Sequence, residues 1–231
     1  MTTYEGRLAA PPSAETTVWP FALAMALVVV ASNVLVQFPV MHGVAGVDLS
    51  ELLTWGAFTY PLAFLVNDLT NRAFGPAAAR RVVGLGFLLA VICSVAVPPL
   101  LFRLGLFPFE MEVARLARIA VASGTAFLVA QLLDVAVFDR LNGRGGRGDG
   151  WWRAPLFSTG VGSVIDTALF FTLAFAASLT LLGPTDGFAT ETSPLVDAPR
   201  WVVWAAGDLA VKVAVGLAAL GPYWVVMRRG R

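Results

Sequence analysis

The sequence predicts an all-α, polytopic integral membrane protein with six transmembrane helices and both termini cytoplasmic. Three observations carry this. Hydrophobic side chains make up 58% of the chain and charged ones only 13%, with a mean hydropathy of +0.76, against the roughly 25% charged residues of a soluble domain. Six apolar runs, residues 18–40, 52–72, 82–102, 114–138, 155–182 and 201–227, each reach about the 20 residues needed to cross ~30 Å of hydrocarbon. The charges between them alternate in sign along the chain. Residues 1–231 are therefore expected to form one six-helix transmembrane domain.

The alternation sets the expected orientation. Arg7, Arg72, Arg80, Arg81, Arg140, Arg144, Arg147, Arg153, Arg228, Arg229 and Arg231 fall on one side if six helices alternate. The opposite connections carry Asp48, Glu51, Glu110, Glu112, Asp186, Glu191 and Asp197, with Arg103, Arg115 and Arg200 as their few cations. Cytoplasmic loops accumulate Lys and Arg, so both ends of the chain are placed in the cytoplasm. The first run is too long for a signal-peptide core and is expected to stay as a helix.

The first run ends in SNVLVQFPV, where Asn33 and Gln37 stand four apart and so share a helix face. Such a pair either bonds to a neighbouring helix or lines a polar cavity. The second run passes Pro61 and ends in a polar knot, Asn67, Asp68, Thr70, Asn71 and Arg72, before Gly75-Pro76 interrupts it. A carboxylate just inside the membrane boundary is costly and calls for a partner or a task. The third run carries Ser94 as its one polar group before Arg103 and reads as a packing helix, and Cys93, the single cysteine, excludes an internal disulfide.

The fourth run has Arg118 near its outer end, where it either snorkels to the interface or joins a polar site, and Gln131 and Asp134 three residues apart near its inner end. The following NGRGGRGDG, residues 142–150, lacks the Gly-Lys-Ser/Thr ending of a phosphate loop and reads as a basic linker. On the fifth run Ser163, Asp166 and Thr167 share one face, with Ser158 and Thr159 earlier on the same helix. The sixth holds Asp208 and Lys212 in the acid-first i, i+4 order that pairs best on a helix, and Lys212 is the only lysine in the chain.

Four aspartates and one lysine at membrane depth, each costing about 2.5 to 3.5 kcal/mol at a helix centre, must face a shared interior. Acids, amides and hydroxyls from the first, second, fourth, fifth and sixth runs converging there describe a site for a polar, hydrogen-bond-rich solute. Asn and Gln both donate and accept, and Phe58, Tyr60 and Phe64 could stack on a flat ring. No metal cluster, catalytic residue or cofactor is expected, and His42, the only histidine, falls in an outer connection.

TWGAF with PLAFLVNDLTNRAFGPAAARR, the earlier SNVLVQFPV, ARIAVAS with QLLDVAVFDRL, WWRAP with GSVIDTALFF, and the late GDLAVKV closely resemble the bacterial queuosine precursor transporters of the vitamin uptake transporter group. The resemblance runs in order over about residues 30–225. It implies a six-helix inner-membrane importer of 7-deazaguanines such as preQ0 and preQ1, working as a facilitator or secondary transporter in the lipid bilayer, with no nucleic acid partner. The site residues it implies are Asn33, Gln37, Asn67, Asp68, Arg118, Gln131, Asp134, Ser163, Asp166, Asp208 and Lys212. Two other readings stand beside it: a substrate-binding membrane subunit of an ATP-driven uptake system, and an intramembrane enzyme built on an aspartate pair. Six helices are half of a twelve-helix transporter, so a homodimer could complete the unit.

Overall fold

The computed structural model describes residues 14–36, 38, 40–44, 47–49, 52–106, 112–142 and 150–229. Gln37, Glu51, Glu110 and the greater part of the basic linker lie outside the described residues.

The helices follow the apolar runs, with boundaries set by backbone chemistry. In order they are α1 (Ala14–Leu35), α2 (Gly56–Thr59), α3 (Leu62–Phe74), α4 (Pro76–Arg103), α5 (Val113–Asn142), α6 (Arg153–Phe175), α7 (Gly187–Thr190) and α8 (Arg200–Arg229). A two-residue hairpin, β1 (Gly43–Val44) on β2 (Val47–Asp48), sits in the connection after α1. Among the described residues α1, α4, α5, α6 and α8 are long and apolar enough to cross a membrane.

The second run is not one helix. Pro61 has no N–H to give back to the preceding turn, and the chain passes it through tighter bonds, Ala63 N–H to Tyr60 O at 3.0 Å and Phe64 N–H to Pro61 O at 3.1 Å. The result is an elbow between α2 and α3. At the other end of α3 the Gly75 N–H bonds to Asn71 O at 2.8 Å and Gly75 takes φ 81°, a region that glycine enters without a Cβ penalty. Pro76 then opens α4 at the position where its missing N–H is harmless.

The fifth run also stops short of its expected end. Ala176 turns extended, at φ −63° and ψ 119°, and the apolar stretch to Leu182 forms a loop with a 3-10 turn at Thr180–Leu182 in place of two more helical turns. The third run is longer than expected, because Arg80 and Arg81 lie inside the first turns of α4, exposed.

Helix α3 is the centre of the bundle: it packs against α1, α4, α5, α6 and α8. Small residues bring the backbones together where lipid supplies no hydrophobic drive between helices. Ala63 of α3, Ala79 and Ala90 of α4 and Ala22 of α1 pack with Met25, Val82, Val83 and Phe127 in one apolar cluster. At Gly86 an added Cβ would stand 2.8 Å from the Phe127 ring and 2.9 Å from Met25, so the α1–α4–α5 contact depends on the missing side chain. Gly162 of α6 plays the same part against α3, where a Cβ would come within 2.6 Å of the Phe64 ring.

Candidate functional site

Polar groups cannot be left facing lipid, and here they collect on the inward faces of α3, α5, α6 and α8. They form two networks. The first hangs on the elbow, which presents Tyr60 to α6. Its hydroxyl donates to Asp166 Oδ1 at 2.8 Å, and its ring packs edge-on against Phe64 and Phe127. Lys212 of α8 donates to Asp166 Oδ2 at 2.7 Å, to Thr167 Oγ1 at 3.0 Å, and to Asp208 Oδ2. Thr167 completes the ring by donating to Asp208 Oδ2 at 2.8 Å. The Lys212 ammonium also lies 5.2 Å from the centroid of the Tyr60 ring, within cation–π range.

The second network lies further along α3. Asn67 donates through Nδ2 to Asp134 Oδ2 at 2.8 Å and to the Gln131 carbonyl at 3.1 Å. Asp68 accepts from Ser158 and Thr159 of α6, each at 3.1 Å. Asn71, one turn on, donates to Val135 O at 3.0 Å. Asn67, Gln131 and Asp134 are 0% exposed, and Asp68 is 2% exposed.

Several of these buried atoms have no hydrogen-bond partner: Asn67 Oδ1, Gln131 Nε2 and Oε1, Asp134 Oδ1 and Ser163 Oγ. Ser163 stands on α6 between the two networks, three residues before Asp166 and four after Thr159. Orphaned groups of this kind each cost about 1–3 kcal/mol when kept from water, so five together concentrate unmet hydrogen-bonding capacity in one part of the interior. The chain is nearly closed around them. A narrow cleft beside them, between Pro61, Asp68, Pro155, Thr159 and Tyr223 and lined by none of the orphaned atoms, has room for about one water.

The end of the bundle where α3 passes into α4 is closed by a polar and aromatic plug. Arg72 donates to Asn142 Oδ1 at 2.7 Å and to Tyr223 OH at 3.2 Å. Trp151 stacks on Tyr223 with an interplanar angle of 17°, and Phe138 meets the same ring edge-on.

Not every expected residue joins. Asn33 binds to its own helix, Nδ2 to Val29 O at 2.9 Å, and accepts from Ser94 of α4 at 3.1 Å; it ties α1 to α4, away from both networks. Gln37 lies outside the described residues. Arg118 is buried at 2% exposure and neither snorkels nor reaches the networks. Its guanidinium donates to Leu173 O at 2.9 Å, Ala176 O at 2.7 Å and Gly183 O at 2.8 Å, satisfying two carbonyls that the end of α6 leaves open and one in the loop beyond it. Phe58 is 38% exposed and turns away from the interior. The sequence pattern marked Tyr60 only as an aromatic surface, and it marked Ser158 and Thr159 as hydroxyls of the fifth run without placing them in the site. Their position two turns before Asp166 and Thr167 on one face of α6 is the signal that could have found them.

A family model described as "Putative vitamin uptake transporter" matches residues 54–226, a stretch that holds both networks and the aromatic plug. The chain belongs to this vitamin uptake transporter family. It is 36% identical to the "Queuosine precursor transporter" of Escherichia coli (strain K12), over 87% of this chain and 81% of that one. The "Probable queuosine precursor transporter" of Haemophilus influenzae is 34% identical over 87% of this chain and 82% of its own length. That of Bacillus subtilis (strain 168) is 32% identical over 53% of this chain and 56% of its own. No solved structure matches. With its long apolar helices and bacterial transporter relatives, this family member is a multi-pass protein of the bacterial inner membrane.

Proposed function

We propose that the protein imports queuosine precursors, 7-deazaguanines of the preQ0 and preQ1 type, as a facilitator or secondary transporter. The observation that carries this is the set of buried polar atoms without partners on Asn67, Gln131, Asp134 and Ser163. A guanine-like edge places adjacent N–H donors beside a carbonyl. Asp134 Oδ1 and Asn67 Oδ1 suit the donors, Gln131 Nε2 suits the carbonyl, and Gln131 Oε1 and Ser163 Oγ serve the remaining ring atoms. Asp68 stands beside this set, whereas the Tyr60, Asp166, Asp208 and Lys212 cluster acts as a tie between the elbow, α6 and α8 that must yield for a base-sized molecule to enter.

In this reading α2 and α3 together make the second of six crossings, and the end bearing the exposed Arg80, Arg81 and Arg140 faces the cytoplasm, as do both termini. The protein works on its own fold, with no separate ATPase and no catalysis; its relatives carry transporter names. It extends to a homodimer in which two chains form one twelve-helix unit, which cross-linking in native membranes tests. The central test is uptake of labelled preQ0 and preQ1 in cells unable to make them, followed by transport into liposomes holding the purified chain alone. Uptake in cells but not in liposomes would restore the ATP-driven subunit; no uptake by well-folded protein would remove the proposal.

A further inference from the structure

The interior holds two acidic pairs, and they are neutralised differently. Asp166 and Asp208 straddle Lys212, whose ammonium donates to both. Asn67, the residue before Asp68 on α3, donates to Asp134 of α5 at 2.8 Å, which brings the two carboxyls to neighbouring positions on packed helices, yet the donors that hold them are neutral: Ser158 and Thr159 for Asp68, Asn67 for Asp134.

The charged and titratable groups on the surrounding elements are directed elsewhere. On α3, Arg72 donates to Asn142 and Tyr223. On α4, Arg80 and Arg81 are exposed, as are Asp139 and Arg140 on α5 and Arg153 at the start of α6. Asp166 of α6 is held by Tyr60 and Lys212. On α8, Lys212 serves Asp166 and Asp208, and Tyr223 accepts from Arg72.

Two bare carboxylates side by side in a low-dielectric interior repel one another, and burial removes the water that would screen them. One positive charge between them answers both difficulties. Next to the pair, the buried oxygens Asp134 Oδ1 and Asn67 Oδ1 have no partner, and oxygen is the ligand that hard cations take.

We propose that Asp68 and Asp134 bind one small monovalent cation, a proton or a sodium ion, and that this cation travels with the substrate. Asp134 would link the two events, because its free oxygen also belongs to the base-reading set; filling one site then changes affinity at the other, in both directions. The travelling half rests on the import reading above, and the binding half does not.

The binding half is read without substrate, on purified protein in nanodiscs at neutral pH. One arm records the infrared carbonyl band of a protonated carboxyl; the other compares thermal unfolding in sodium and choline chloride. The expected result is either a carboxylic-acid band that disappears in both Asp68→Asn and Asp134→Asn, identifying a proton, or a sodium-specific rise in Tm of several degrees that disappears in the same variants, identifying sodium. Wild-type protein showing neither overturns the site without any variant having to fold, and a signal that survives both substitutions overturns it too.

The travelling half is read in liposomes under an imposed tenfold proton or sodium concentration gradient. Accumulation of labelled preQ1 or preQ0 approaching tenfold under the matching gradient is expected. Substrate that equilibrates to a ratio of one under every gradient overturns the coupling and leaves import standing. Protein that admits no substrate overturns import and coupling together, while the spectroscopic result stands by itself.

Discussion

The ammonium of Lys212 lies 2.7 Å from Asp166 Oδ2 across the boundary between α8 and α6, and the same ammonium donates to Asp208 one turn back on its own helix. Lys212 and Asp166 are 3% and 4% exposed in their side chains. A cation placed this way joins helices that meet far apart in the chain, and removing it leaves two acids buried without a counter-charge.

Lys212→Ala should therefore destabilise the fold by about 3–5 kcal/mol, the usual cost of breaking a buried pair by deleting one partner. Asp208→Asn should cost less, because Asp166 still neutralises the lysine. Denaturant unfolding in detergent, followed by tryptophan fluorescence, checks the order of the two.

Gln131 makes an opposite kind of prediction. Both atoms of its carboxamide are buried without partners, so Gln131→Leu removes a standing penalty. The variant should gain about 1–3 kcal/mol of stability while losing at least about tenfold in affinity for the deazaguanine, the equivalent of ~1.4 kcal/mol. Paired measurements of Tm and of ligand binding test it; a variant that loses stability, or binds as well as the parent, removes Gln131 from the site.

Arg118 should behave as a structural residue. Three carbonyls at the end of α6 and in the loop after it depend on it, and hydrogen bonds to charged groups contribute about 1.5–3 kcal/mol each. Arg118→Ala should lower Tm sharply, and Arg118→Lys should recover little, since an ammonium lacks the planar fork that reaches three acceptors. Affinity measured on the folded fraction should stay at the parent value.

Two glycines on α6 provide a matched comparison. A Cβ at Gly162 would press on the Phe64 ring at 2.6 Å, whereas at Gly160 nothing lies within 4 Å. Gly162→Ala should cost about 1–3 kcal/mol through overpacking, and Gly160→Ala should stay within about 0.5 kcal/mol of the parent. Thermal unfolding of the two proteins side by side checks the contrast.

Hydropathy alone made most of the helices legible, because a membrane span is a local property of about twenty residues. The Asp208–Lys212 pair was legible for the same reason: both partners sit on one helix, one turn apart. The break at Pro61 was less so, since lipid-embedded helices tolerate proline when neighbours satisfy the freed groups. The early end of α6 was hidden because Ala176 to Leu182 is apolar whether helical or not. Arg118 resisted reading for a different reason. Its partners are backbone carbonyls, which no side-chain pattern announces, and the separation of the acids into two networks depends on how α3 and α6 are turned toward each other.

The single lysine of the chain lies at the centre of the bundle with its ammonium fully engaged. The folded exterior thus offers no lysine to acylating reagents, and tryptic cleavage of the native surface is confined to arginine. An introduced surface lysine would be the one lysine side chain on the exterior open to an amine-reactive fluorophore. Modification of Lys212 itself would record how often the interior comes apart, so that a simple amine-labelling rate, followed with and without ligand, becomes a clock for its opening.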